Sequence, residues 1–174
     1  MKLFSALGLA FLLLLGFSSC QKNENYPDYP VITYKDFIVF NQDSAYIQVN
    51  FTDGNGDIGY PASDTSAPPN FWVEYMYLDS ATNNFLPMTA TVGTKTDTIF
   101  GPYYIPNITP TGKNKELSGE IQVKLETEGQ PTWYSPLPIY YKATNAIEFR
   151  VWLVDRAGNK SNVVTTPAYT IAPL

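Results

Sequence analysis

The chain has 174 residues, with 11 Lys and Arg against 16 Asp and Glu, no histidine and a single cysteine. That length suits one domain, and its richness in Tyr, Phe, Val and Ile supplies a packed core rather than a disordered chain. The missing histidines exclude a Ser-His-Asp triad, a Cys-His pair and a His-built zinc site. A net charge of −5 argues against a nucleic-acid partner, which is held chiefly by Lys and Arg.

Lys2 opens a short positive region, residues 3–17 form an apolar run, and small residues lead to Cys20 before the sequence turns polar at Gln21. This is the pattern of a secretory signal, too short for a membrane-spanning helix of about 20 apolar residues. Phe17-Ser18-Ser19-Cys20 resembles the lipobox of bacterial lipoproteins, with Phe17 and Ser19 as variants of the common Leu and Ala or Gly. The resemblance implies cleavage before Cys20, a diacylglycerol thioether on its sulfur, a palmitate-type acyl chain on its new amine, and anchorage in the cell envelope. The outer membrane is the expected location, on either its periplasmic or its surface face. An acylated Cys20 leaves no thiol for a disulfide, so packing alone must hold the core.

Three regions follow: a signal peptide over 1–19, the acylated cysteine and an extended tether over 20–30, and a β domain over 31–174. The tether is polar with two prolines, as an extended spacer requires. Beyond it, no ten-residue stretch keeps a helical apolar period without Pro or Gly. Strands are expected over 31–40, 45–51, 71–78, 117–125, 146–154 and 162–171, with weaker edge strands over 85–92 and 96–100. Ile47, Val49 and Phe51 share one face; so do Ile121, Val123 and Leu125, and Ile147, Phe149, Val151 and Leu153. Such a series predicts an all-β sandwich of about seven or eight strands. The closing hairpin over 146–171, turning at Asp155-Arg156-Ala157-Gly158-Asn159, resembles the last hairpin of immunoglobulin-like and fibronectin type III domains. No paired cysteines are present, so an antibody-type domain is excluded.

Asp53-Gly54-Asn55-Gly56-Asp57-Ile58-Gly59 puts oxygen side chains at alternate positions of a glycine-rich loop. Calcium takes six to eight oxygens, and glycines permit the sharp turns that gather them. Counting from Asp53, the twelfth position is Asp64, and Asp155 could complete a site if its hairpin lies at the same end. The loop departs from an EF-hand: Ile58 stands where Gly is required, Asp64 replaces Glu, and no helices flank it. Tight turns without metal use the same Asp-Gly and Asn-Gly pairs, so calcium and a plain turn both stand as readings. Phe51 to Gly59 also resembles a segment of Gram-negative lipoproteins with sandwich domains, a resemblance that implies no activity.

Proline-stiffened aromatic stretches over 101–112 and 130–141 offer Tyr103, Tyr104, Trp133, Tyr134, Tyr140 and Tyr141, joined by Trp72, to a glycan or another envelope protein. Rigid aromatic surface suits such binding because little entropy is lost. The same residues would equally cover the open ends of a sandwich. Ser44, Ser80 and Thr98 each follow an Asp and precede a small or aliphatic residue, resembling a bacterial O-glycosylation acceptor. Asn107-Ile108-Thr109 fits the eukaryotic N-glycan sequon, which a bacterial lipoprotein would not use.

The leading expectation is a non-catalytic binding, adhesion or assembly lipoprotein. Its alternative is a carbohydrate-binding accessory protein, and a small glycosidase is the remote third. Only carboxylates such as Glu74, Glu120, Glu126, Glu148 and Asp155 could serve acid–base chemistry there, and none stands in a recognisable motif.

Overall fold

A computed structural model describes residues 25–41, 44–125 and 146–170, and within them every regular element is a strand. Residues 1–19, read above as a signal peptide, Cys20 and the segment over 126–145 lie outside those residues. One antiparallel sheet has the order β1 (Val31–Asn41), β2 (Ser44–Asp53), β8 (Leu117–Leu125). The other is centred on the antiparallel pair β3 (Phe71–Asp79) and β9 (Ala146–Leu153).

The strands alternate as the sequence does. In β2 Ile47, Val49 and Phe51 face inward, β8 contributes Ile121, Val123 and Leu125, and β9 buries all four of Ile147, Phe149, Val151 and Leu153. These side chains from both sheets form one apolar cluster with Phe71, Val73 and Tyr75 of β3, the arrangement expected of a sandwich. Phe149 is central to it: its ring lies 5.3 Å from Phe37 of the first sheet and 5.3 Å from Tyr75 of its own.

The weaker edge elements are shorter than expected. The run over 85–92 is two strands, β4 (Asn84–Pro87) and β5 (Thr89–Val92), broken at Met88. Met88 is buried, its amide donates to the Tyr75 carbonyl at 2.8 Å, and its carbonyl accepts from Ile99 at 2.8 Å. The chain therefore leaves the β3 edge as a separate hairpin, β5 with β6 (Lys95–Thr98), and rejoins it as β7 (Phe100–Tyr103). The first residues of the 101–112 stretch are thus strand, not loop. On the β9 edge, β10 (Val164–Thr165) and β11 (Tyr169–Thr170) replace the single strand expected over 162–171. Thr166 bridges the gap between them: its amide donates to the Phe149 carbonyl and its hydroxyl accepts from the Phe149 amide at 3.0 Å.

Polar side chains also stitch distant segments together. Asn162, after β9, accepts from the Ile32 amide at 2.9 Å and donates to the Ile32 carbonyl at 2.8 Å, joining the second sheet's last loop to β1. Asn70 makes the same two-way contact with Ile105, at 2.7 and 3.3 Å.

Truncating Phe149 to Ala should cost about 3–5 kcal/mol, the usual range for a buried phenylalanine. Urea denaturation compared with wild type checks this, and a loss below about 1 kcal/mol would mean that the sheets do not share the core described.

Candidate functional site

β2 ends at Asp53 in one sheet and β9 at Leu153 in the other, and contacts between the segments that follow them place both ends at one end of the molecule. The loop after β2 and the hairpin turn after β9 meet there. The Arg156 amide donates to the Asp57 carbonyl at 3.1 Å, and the Ala157 amide to Asp57 Oδ2 at 3.2 Å. Ile58, fully buried, plugs the loop into the core. Gly59 has φ of 79°, and a Cβ there would run into the Pro106 carbonyl, so a side chain is excluded both by conformation and by space.

The result is a cluster of three aspartates. One carboxylate oxygen from each of Asp53, Asp57 and Asp155 lies within 4.8 Å of the others. Asp53 and Asp155 have no exposed surface, and Asp57 is half-buried. Asp53 Oδ2 accepts from the Asp57 amide at 3.1 Å, while both Asp155 oxygens accept from Asn159, at 2.7 and 2.8 Å. Asp53 Oδ1 and Asp57 Oδ1 are buried with no hydrogen-bond partner. Burial pushes the Asp53 carboxyl above its ordinary range, and the charges of Asp57 and Asp155 add to it against the opposing hydrogen bond from the Asp57 amide. Burial and then the Asp155 charge push Asp57 up as well.

The nearby cation is directed elsewhere. Arg156 Nη1 donates to the Gly59 carbonyl at 2.6 Å, the Ile58 carbonyl at 3.3 Å and Asn107 Oδ1 at 3.2 Å, and Nη2 donates to Thr109 Oγ1 at 2.7 Å. Thr109 Oγ1 in turn donates to the Gly56 carbonyl at 2.6 Å. The guanidinium thus sews three loops together, and among the described residues no lysine or arginine forms an ion pair with the three aspartates.

Asn55 and Asp64 have other roles. Asn55 Oδ1 accepts from the Asp57 amide at 3.2 Å and its Nδ2 donates to the Asp28 carbonyl at 3.1 Å. Asp64 is exposed, closes a turn by accepting from the Ser66 amide and hydroxyl, and is not in the cluster. It lines an open cleft of about 350 Å³ with Tyr60, Tyr104 and Pro106. Tyr104 is 64% exposed, whereas Tyr103 packs against the core. Trp133, Tyr134, Tyr140, Tyr141 and Glu126 lie outside the described residues. Ser80 is exposed on the turn after β3, while Ser44 and Thr98 are half-buried in strands. Glu74 sits 3.7 Å from Arg150 and Glu120 2.6 Å from Lys35, both as strand-face ion pairs.

Sequence reasoning missed two features. Arg156 was visible only as a turn residue, because its acceptors, two backbone carbonyls and the side chains of Asn107 and Thr109, lie far away in the chain. Trp72 pairs across strands with Trp152, their rings 6.3 Å apart and 10° from parallel, with Phe100 edge-on to both. Lys160 Nζ lies 4.0 Å over Trp152 and completes this outer-face cluster. A scan of protein-family models finds no match to the chain, and a search of curated proteins finds none.

Arg156→Met should destabilise the fold by about 2–3 kcal/mol, since hydrogen bonds from a charged donor are the stronger kind and buried carbonyls lose their partner. Arg150→Met, which removes only a strand-face ion pair, should cost under about 1 kcal/mol. Chemical denaturation of both variants checks the contrast, and equal losses would contradict the assignment.

Proposed function

We propose that this chain is a lipid-anchored protein of the bacterial envelope whose immunoglobulin-like domain is a non-catalytic binding, adhesion or assembly module. The supporting observation is the way the two ends of the domain differ. At one end the tether lies on the acidic loop: the Gly54 amide donates to the Pro27 carbonyl at 2.7 Å, and Asn55 holds Asp28. A Cβ at Gly54 would collide with the Tyr26 and Pro27 carbonyls, so this close approach depends on glycine. Cys20 stands only a few residues before that contact, which sets this end toward the bilayer. At the other end β8 stops at Leu125, opposite Ala45, and β9 begins at Ala146, opposite Thr170. Those two strand ends, Leu125 and Ala146, lie at the opposite end of their strands from Asp53 and Leu153, and it is at this end that a partner in the envelope would be met.

A carbohydrate-binding role is the second reading, favoured by the cleft beside Tyr60 and Tyr104. An exposed tyrosine ring offers a stacking face for a sugar, with Asp64 on the rim to accept from its hydroxyls.

Expression of the full chain in a Gram-negative host fed labelled palmitate should label the protein, and Cys20→Ser should lose the label and keep the signal peptide. An unlabelled wild-type protein recovered in soluble form would contradict the anchor. On a glycan array, signal that Tyr104→Ala abolishes would select the carbohydrate reading over the protein-partner one.

A further inference from the structure

We propose that Asp53, Asp57 and Asp155 form a binding site for one calcium ion that clasps the two sheets together at the tether end of the domain. This goes beyond the role proposed for the whole protein and stands independently of it.

Three aspartates alone would be an acidic cluster of a common kind. What separates this one is the state of its oxygens. Asp53 has no exposed surface, yet its Oδ1 has no hydrogen-bond partner, and Asp57 Oδ1 is in the same condition. A buried carboxylate oxygen left without a donor is costly, and two of them beside a third carboxylate compound that cost by repulsion. The remaining oxygens are already engaged by the Asp57, Ala157 and Asn159 donors, which orient all three side chains and leave Asp53 Oδ1 and Asp57 Oδ1 without a donor. The geometry has the form of a preorganised cage lacking its counter-charge.

Donor chemistry narrows the occupant. Every ligand is a carboxylate oxygen, the chain has no histidine, and no cysteine is among the described residues, so the softer transition metals find no preferred partner in this cluster. Oxygens around an ion bound at 2.3–2.6 Å are separated by at most about 5 Å, which accommodates the 4.8 Å limit on this cluster. Magnesium gives up its water reluctantly and prefers open sites. Two of the three aspartates are fully buried, so an ion here must shed much of its hydration shell, which favours calcium.

The position gives the ion its task. Asp53 terminates β2 of the first sheet, Asp155 follows β9 of the second, and Asp57 lies in the loop whose neighbours hold the tether. A bound ion therefore joins both sheets in a domain without a disulfide.

The test is thermal unfolding of the full chain, purified in detergent and stripped with EDTA, then titrated with calcium or magnesium chloride. Calcium at about 100 times its dissociation constant should raise the midpoint by roughly 5–10 °C, and magnesium at the same concentration should raise it less. Asp57→Asn should unfold in EDTA at or above the wild-type midpoint, because a repelling buried charge is gone, and should lose the calcium response. Should that variant fail to fold, Asp155→Asn and counting of radioactive calcium bound by wild type in equilibrium dialysis decide the matter, with one ion per chain expected. No calcium response up to 10 mM, an undiminished response in the aspartate variants, or an equal response to magnesium would overturn the proposal.

Discussion

The carboxylate of Asp53 sits at the end of a central strand with no solvent contact and one oxygen unanswered. An isolated charge in that position is among the least favourable things a small domain can contain. Around it the structure is built to hold, not relieve, the problem: Asp57 and Asp155 are brought to it from the following loop and from the opposite sheet. Folding the loops at this end therefore concentrates negative charge where apolar packing would be simpler.

Arg156 makes the arrangement more telling. A guanidinium adjacent in sequence to Asp155 could have neutralised the cluster, but it is committed to the Ile58 and Gly59 carbonyls and to Thr109. Its charge lowers Asp57's carboxyl only as a lesser influence, behind burial and Asp155. The same three loops are thus held by a protein cation on one side and by carboxylates facing inward on the other. That division of labour, with backbone carbonyls satisfied by arginine and carboxylates left for something else, is the feature on which the reading of this end of the domain rests.

Much of the fold was legible because burial writes a period of two into a strand. Ile47-Gln48-Val49-Asn50-Phe51 and Ile147-Glu148-Phe149-Arg150-Val151 fall on their faces as read. The edges were not legible. The run through 85–92 contains Pro87, which cannot donate to a ladder, but the division into two strands also takes the Met88 contact with Tyr75, a tertiary event. Within the acidic loop, alternation put Asp53 and Asp57 together, while counting twelve positions to Asp64 did not transfer. That count belongs to a loop between two helices; here the chain turns away at Gly59 against Pro106. Asp155 could be named only conditionally, since its approach to Asp53 depends on strand order. The Trp72–Trp152 pair escaped notice for the same reason, as cross-strand register is invisible in one strand.

Among the described residues the three carboxylates lack a counter-charge, and a cation is proposed to supply it. Titration calorimetry of calcium into the metal-stripped full chain addresses it most directly, with Asp53→Asn run beside it. A saturable heat with one ion per chain, absent from the variant, is the expected result. Absence of binding at millimolar calcium in a folded wild-type protein would contradict it and leave the three aspartates as a buried turn with no ligand.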